Sequence, residues 1–581
     1  MGGIVLFKLS TYLKKYRKEC IVGPLFKFME AILELLLPTI MALIINNGVT
    51  RRDTNYVLKM GGLMVVLAVC GYCCALVCQY SAARASQGFG TDLRNAVFHR
   101  ILSFSYSQSD RFGAPTLTTR LTNDINQLQQ LVAMMIRLLV RWPFICIGSI
   151  VMSFFLDYQI ALILLASTPV LAGIIYFISK NVAPLYRSYQ KKLDGLAVIL
   201  RENLSGVRVI RAFSKTKEET GRFRGANDEM MENGLAIGRI SSLFNPLTSL
   251  VVNLVIVLIL WAGNFQIQIG RLAEGQIIAF IQYANQILTA LLFMSNLIIL
   301  ITKAMASAAR VREVMNVQPE MESPAGGVSP VPSAPAVEFR DVSFGYSETG
   351  DRALEHISVA VKRGETIGII GGTGSGKSTF VNLIARFYDA TSGEILVDGV
   401  PVKRYPLQTL RRKVAVVSQH ALLFSGTVAE NIRWGNAQAD LPAVKKAAEI
   451  AQADEFIETL PQRYDFPVQR GGANLSGGQR QRLTIARAVV ANPEILILDD
   501  ASSALDFLTD SNLRRAIRQN SKAQTVLLVS QRVGVVKNTD RIFVFEDGRI
   551  AGIGTHRELF QSCGPYREIC LSQLSSEEAQ Q

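Results

Sequence analysis

The chain has 581 residues, enough for roughly two to four domains. Apolar residues make up 49% and charged residues only 19%, with a mean hydropathy of +0.25, which excludes an ordinary soluble enzyme. Residues 1–315 hold 32 Lys and Arg against 17 Asp and Glu, while residues 316–581 hold 29 against 30. The whole basic excess behind the net charge of +14 thus lies in the apolar half. That fits a membrane protein with cationic cytoplasmic margins better than a nucleic-acid binder, which would favour a basic stripe on a soluble domain.

In chain order, Val5–Glu19 ("VLFKLSTYLKKYRKE") alternates apolar and basic residues at helical spacing, predicting an interfacial helix with its cations toward anionic headgroups. It lacks a small-residue cleavage site and is followed by more spans, so it does not read as a cleaved signal peptide. Six apolar stretches follow, at about 20–46, 57–83, 130–156, 159–183, 240–267 and 275–302. Each can cross a hydrocarbon core of about 30 Å, which takes roughly 20 helical residues. Met60–Ala83, Ile240–Gly270 and Gly275–Thr302 contain no Asp, Glu, Lys or Arg.

The first and third stretches carry Lys27, Glu30, Glu34, Arg137 and Arg141. Glu30 and Glu34 share a helical face, as do Arg137 and Arg141. Charges in such places point to a substrate or gating site; the plainer expectation, which we favour, is that they lie near the cytoplasmic ends, solvated or paired with each other. Cys70, Cys73, Cys74 and Cys78 lie on one helix, but no His or carboxylate stands near to complete a metal site, so they read as small apolar residues.

The short connections at 47–56, 157–158 and 268–274 hold only Arg51, Arg52 and Arg271 as cations. The N-terminal segment, the long connections 84–129 and 184–239, and the segment after the sixth span hold most of the others. The positive-inside rule therefore places both termini and both long connections in the cytoplasm of a multi-pass cell-membrane protein. Residues 316–336 are rich in Pro, Ser, Gly and Ala and mark a linker between a membrane domain at 1–315 and a second domain at 337–575. In that second domain "ETIGII", "KVAVVSQ", "EILILDD" and "TVLLVSQR" alternate with helical runs, predicting an α/β fold with a largely parallel core sheet. Residues 576–581 form a polar tail.

The α/β domain contains a phosphate loop, Gly371-Gly372-Thr373-Gly374-Ser375-Gly376-Lys377-Ser378-Thr379, between an apolar strand and a helical run. Its glycines let backbone N–H groups close around phosphate oxygens at a helix N-terminus. Lys377 is placed to reach the β- and γ-phosphates of ATP and Ser378 to ligate Mg²⁺. In "ILILDD", Asp499 ends a strand where a carboxylate faces the nucleotide crevice and can hold the same Mg²⁺.

Leu475-Ser476-Gly477-Gly478-Gln479 matches the ABC signature at all five positions, which chance would produce in about one chain in a thousand. With it the sequence resembles an ABC exporter half-transporter, six membrane helices fused to one nucleotide-binding domain, over nearly its whole length. The resemblance implies that Tyr346 stacks on adenine, that Gln419 senses Mg²⁺, and that Asp506 is the D-loop aspartate. It also implies that Thr118–Ile125 and Leu204–Phe213 form the intracellular loops that press on the nucleotide domains. It implies further that two such domains stack head to tail, each ATP lying between one chain's phosphate loop and the other's signature.

The sequence departs from the family at three places. Asp500 stands where a glutamate polarises the attacking water, and its side chain is shorter by about 1.5 Å. Gln531 stands at the switch histidine and cannot titrate near neutral pH. Arg470 stands where an acidic or amide residue is usual. This pattern is similar to the degenerate-site subunit of bacterial heterodimeric multidrug exporters. It implies a partner half-transporter with an intact glutamate and histidine, an amphipathic drug-like or lipid-like substrate, and no nucleic acid. A slow homodimer and a regulatory ATP-binding subunit are the alternatives.

Overall fold

The computed structural model describes residues 10–321, 324, 331, 333–346, 350, 352–520 and 524–574. They fall into two compact units, one from 1–102 and 114–318, the other from 103–113 and 319–581. Residues 5–9 of the basic N-terminal segment, much of the linker and the polar tail lie outside the described residues.

The first unit contains six helices long and apolar enough to cross a membrane: Thr11–Val49, Thr54–Leu102, Ala114–Leu156, Tyr158–Ser205, Thr216–Gln268 and Glu274–Asn316. Each apolar stretch read from the sequence lies within one of them. The second, 49 residues long, extends about 74 Å at 1.5 Å per residue, well beyond a hydrocarbon core of about 30 Å. Its polar half therefore continues as helix past the membrane. Ser10–Tyr16 is a 3-10 helix that runs directly into Arg17–Leu43. Tyr16 donates to Asp92 at 3.1 Å and Lys15 pairs with the same carboxylate at 3.5 Å. Among the described residues the basic segment is thus the start of the first span, tied to the second, rather than a separate interfacial helix.

Core packing in this unit joins Ala31 and Leu35 of the first helix to Trp142, Ile145, Phe280 and Tyr283. Tyr283 donates to the Leu35 carbonyl at 2.8 Å and shares a 2.9 Å hydrogen bond with Thr39. Lys27, buried, donates to Glu30 at 2.7 Å; Arg141 reaches Glu30 at 3.2 Å and Glu34 at 2.8 Å. The charges of the first and third spans are therefore largely paired with one another, across two helices. Cys70 and Cys73 are exposed and Cys74 and Cys78 buried, and among the described residues no group of His, Cys, Asp or Glu could hold a metal.

Residues 118–125 correct one expectation. They form no separate docking helix but belong to the third long helix, passing through a π-helical segment at Arg120–Asp124. Buried Asp124 accepts from Ser307 at 2.8 Å and pairs with Arg310 of the sixth helix. The physical reason is a break further upstream, where Ser105 and Gln108 form a reciprocal capping box and Gly113 adopts φ 73°. That isolates the short helix Tyr106–Phe112, which packs in the second unit: Tyr106 lies against Phe387 and Tyr388 with ring centroids 4.7 and 6.1 Å apart. Leu204–Phe213 does include a short helix, Val207–Ala212, and none of its residues is buried.

The second unit has a six-stranded sheet in the order Arg549–Gly554, Arg541–Glu546, Thr366–Gly371, Thr525–Val529, Ile495–Asp499, Val414–Val417. All neighbours are parallel except the first pair. A four-stranded antiparallel sheet built on Val337–Phe344 packs beside it, and both contribute to one apolar core. A second core is largely helical and holds the helix Gly477–Val490 against Val417, Leu496 and Leu498.

Asn431 clamps this helical region. Buried, it accepts from the Phe424 N–H at 2.9 Å and from Arg487 at 3.0 Å, and donates to the carbonyls of Phe424 and Thr427. Removing one partner of a buried hydrogen bond costs about 1–3 kcal/mol per group left unsatisfied. We therefore expect Asn431→Ala to lower the thermal midpoint of the nucleotide-free chain by several degrees with the far-UV circular dichroism unchanged at 20 °C or so. An unshifted midpoint would contradict that role.

Candidate nucleotide site

The strand Thr366–Gly371 ends in the loop that turns into the helix Lys377–Ile384. Two glycines make the turn possible. A Cβ at Gly371 would collide with the Phe545 carbonyl, and Gly376 caps the helix at φ 99°, which an L side chain rarely adopts. With Gly372, Thr373, Gly374 and Ser375 they leave an open cradle of backbone at the N-terminus of a buried helix. Lys377 folds back over this loop, donating to the carbonyls of Gly371 (3.1 Å) and Gly372 (2.5 Å) and to Ser375 Oγ (3.3 Å).

Two strands over, Ile495–Asp499 delivers Asp499 to the same edge, the strand Thr525–Val529 lying between. Ser378 Oγ donates to Asp499 Oδ1 at 3.0 Å, joining the two expected Mg²⁺ ligands directly. Burial pushes the Asp499 carboxyl up, and its neighbour Asp500 adds to this. Burial pushes Lys377 down, against the pull of Asp499 and Asp500. A hydroxyl and a desolvated carboxylate are hard oxygen donors that suit Mg²⁺, and a cation between them would relieve the carboxylate's desolvation. The residues present therefore fit the ion.

Asp500 itself sits in the left-handed region at φ 47°, where Asp is among the few tolerated non-glycine residues. Its N–H donates to the Val529 carbonyl at 3.0 Å, which ties it to the adjacent strand. Its carboxylate accepts from Gln419 Nε2 at 3.2 Å, and burial pushes its pKa up while Arg532 and Lys377 oppose this. Gln419 and Asp500 are thus brought together as a pair. Gln531 follows the strand Thr525–Val529 with an exposed side chain, and its carbonyl accepts from Gln573 at 2.7 Å. Arg470 is exposed and opens a short 3-10 turn.

Tyr346 exposes 55% of its surface, standing edge-on to Phe344 and Tyr388, with its hydroxyl 2.9 Å from Thr379 Oγ1. It is thereby fixed beside the phosphate loop with much of the ring available for stacking. Tyr388, beside it, has its phenol pushed up to about 12 by burial and by Asp110, to which it donates at 3.4 Å.

The signature lies at the start of the helix Gly477–Val490. Ser476 Oγ accepts from the Gln479 N–H at 3.3 Å, while Gln479 Oε1 accepts from the Ser476 N–H at 2.9 Å. Ser476 and Gly477 are exposed, and nothing lies within 4 Å of a Cβ built on Gly477. Gly478 packs toward the Ala504 carbonyl. Asp506 is exposed and caps the next helix through Thr509, whose hydrogen bonds hold its carboxylate below the usual range. The capping roles of Ser476 and Gln479, and the charge of Arg532 beside Asp500, were missed in the sequence reading. The first was available as a Ser-x-x-Gln pattern, and the second had no local signal.

This geometry of phosphate loop, strand-end carboxylate and exposed helix-capping signature agrees with two family models. The ABC transporter transmembrane region matches residues 20–291, and the ABC transporter model matches residues 354–503. An uncharacterized ABC transporter ATP-binding protein of Mycobacterium tuberculosis is 37% identical over 577 residues, covering 99% of both chains. The chain belongs to the ABC transporter family.

Another uncharacterized ABC transporter ATP-binding protein, YfiB of Bacillus subtilis, is 38% identical over 570 residues, covering 98% of this chain and 99% of the relative. Among solved structures, a bacterial Atm1-family ABC exporter with ATP bound matches with a TM-score of 0.78 at 23% identity, over 96% of this chain and 99% of that one. The protein is thus an ABC half-transporter with the exporter fold, a multi-pass membrane protein whose ATPase-family domain implies ATP binding.

Asp499 supplies a signed test. A carboxyl raised in the folded state binds more protons there than when unfolded, so its burial costs stability at neutral pH and the cost fades as pH falls through the folded pKa. We expect Asp499→Asn to raise the midpoint of the nucleotide-free transporter at pH 7, with the gain shrinking toward pH 4 or so. The same variant should lose the thermal shift that Mg²⁺ and ATP give the wild-type chain. A variant that keeps that shift would remove Asp499 from the metal's ligands.

Proposed function

We propose that this chain is one half of a heterodimeric, ATP-driven exporter of amphipathic drug-like or lipid-like molecules. Its own site binds ATP and hydrolyses it slowly, and its signature completes the competent site of an unlike half-transporter. One observation carries the reading: Asp500 and Gln531 alter both positions of proton handling, while the phosphate loop, Asp499, Tyr346 and the signature are all kept.

In this reading the backbone of Gly371–Gly376 and the Lys377 ammonium bind the phosphates, and Tyr346 stacks on the base. Ser378 and Asp499, with Gln419 near, would hold Mg²⁺, which when bound neutralises phosphate charge. Asp500 is the limiting group. Its shorter side chain is already committed to Gln419 and its backbone is anchored to Val529, so it is poorly placed to hold the proton of an attacking water. Gln531 donates hydrogen bonds but takes up no proton.

Support for an assembled dimer comes from surfaces left uncovered. Ser476 and Gly477 are exposed. Leu204, Val209 and Phe213 expose 69%, 61% and 73% of their surface around the short helix Val207–Ala212, as a segment does that docks on a second chain. Binding of ATP would draw two nucleotide domains together and open the membrane helices outward; hydrolysis at the partner's phosphate loop, against this chain's signature, would reset them.

The test is turnover. Purified alone, the chain should bind ATP with little hydrolysis, and addition of the partner should restore it. Because a positioned base contributes about 10²–10⁴ in rate, the double variant Asp500→Glu, Gln531→His should raise turnover of the self-assembled chain about tenfold or more. Fast turnover by the unaltered chain alone would overturn the heterodimer reading.

A further inference from the structure

The membrane unit contains a cluster of charges that its internal pairs do not balance. Lys27, Glu30 and Glu34 of the first long helix meet Arg141 of the third. Arg137 stands four residues before Arg141 on the same long helix, which brings it into the same group. Three cations face two anions. Among the described residues Glu30 and Glu34 are taken up by Lys27 and Arg141, and Arg137 has no ion pair.

The surplus charge coincides with surplus donors. The Nε atoms of Arg137 and Arg141 and the indole Nε1 of Trp142 are each buried without an acceptor. Three N–H groups within a turn and a half of one helix thus lack partners, and an unmet buried donor costs stability. The backbone around them is irregular as well. Met135–Leu139 is a π-helical segment carrying Arg137, and the α-helix resumes at Arg141. Segments of this kind are frequent at functional sites. An apolar wall completes the place: Trp142 stacks on Phe293 at 4.2 Å and 5°, and Arg141 lies 4.9 Å from the Trp142 ring.

Depth narrows the ligand. The third helix ends at Leu156, next to a connection of a single residue, Asp157. Counting back at 1.5 Å per residue, Arg141 lies about 22 Å and Arg137 about 28 Å from that end. With a hydrocarbon core of about 30 Å, Arg137 falls at the opposite headgroup level and Trp142 within the acyl region. A ligand that satisfies both carries an anionic oxygen group on an apolar tail.

We propose that Arg137, with Arg141 and Trp142, forms a subsite that binds the phosphate or carboxylate group of an anionic amphipath, its tail against Trp142 and Phe293. Arg137 supplies the uncompensated charge and a guanidinium whose planar donors suit such oxygens. Arg141 and Trp142 supply further donors, and the ion pairs to Glu30 and Glu34 hold Arg141 in place. This rests on the exporter reading and names its substrate class.

The test reads binding at the site itself. With Trp261→Phe and Trp434→Phe, Trp142 becomes the chain's sole tryptophan. The chain, in phosphatidylcholine nanodiscs, is titrated with a brominated alkyl phosphate and with the brominated alkyltrimethylammonium of equal length. The phosphate should quench Trp142 at a concentration about tenfold lower or less, as a charge-assisted hydrogen bond implies. Arg137→Gln should abolish that preference and Arg137→Lys should keep part of it. Competition by phosphatidylglycerol in the disc would identify a membrane lipid as the source of the anionic group. Competition by inorganic phosphate at equal affinity would overturn the amphipathic part of the proposal. Equal quenching by the two probes, or a preference that survives Arg137→Gln, would overturn the whole. The assay needs neither hydrolysis nor a partner, so its failure would leave the degenerate-site reading standing.

Discussion

Asp499 is a carboxylate forced out of water beside a lysine, and the nucleotide domain is arranged around that constraint. The parallel strands Ile495–Asp499 and Thr366–Gly371 end at one edge, so the hydroxyl of Ser378 meets the carboxylate at 3.0 Å and Lys377 closes over the loop. Burial raises the acid and lowers the amine. Burial of either group disfavours its charged form, and a bound polyanion and cation would offset that. The glycines of the loop, the intervening strand Thr525–Val529 and the cap at Gly376 bring these groups to one edge.

The same edge holds two kinds of group. Gly371, Lys377, Ser378 and Asp499 belong to strands or a helix, whereas Asp500 and Gln531 stand just past two strand ends. Asp500 is anchored by its own N–H to Val529 and by its carboxylate to Gln419. A one-methylene change there alters reach without disturbing the cradle. The signature, by contrast, is built into a helix cap, with Ser476 and Gln479 bonded to each other and Gly477 left open.

Much of this was legible in the sequence because it depends on local chemistry. The phosphate loop requires glycines at close approaches, parallel strands require continuous apolar runs, and membrane spans require length. What escaped the reading was tertiary. Pairing among the charges of the first and third spans was expected, but which partners meet, Arg141 with Glu30 and Glu34, spans two helices and is encoded by no spacing within either. The charge of Arg532 near Asp500 likewise depends on two loops that the sheet brings together. The short helix that packs within the second unit, Tyr106–Phe112, lies about a dozen residues before the expected Thr118–Ile125. There the apolar pattern of the third helix obscured two local cues, the Ser105–Gln108 capping box and Gly113.

In the proposed heterodimer, this chain's phosphate loop holds ATP through cycles in which its partner's loop turns it over. The direct measurement is nucleotide trapping on the assembled transporter, with photoreactive ATP labelled at either the α- or the γ-phosphate and cross-linked after one turnover. Label on this chain should keep its γ-phosphate, while label on the partner should have lost it. Loss of the γ-phosphate at equal rates on the two chains would contradict it.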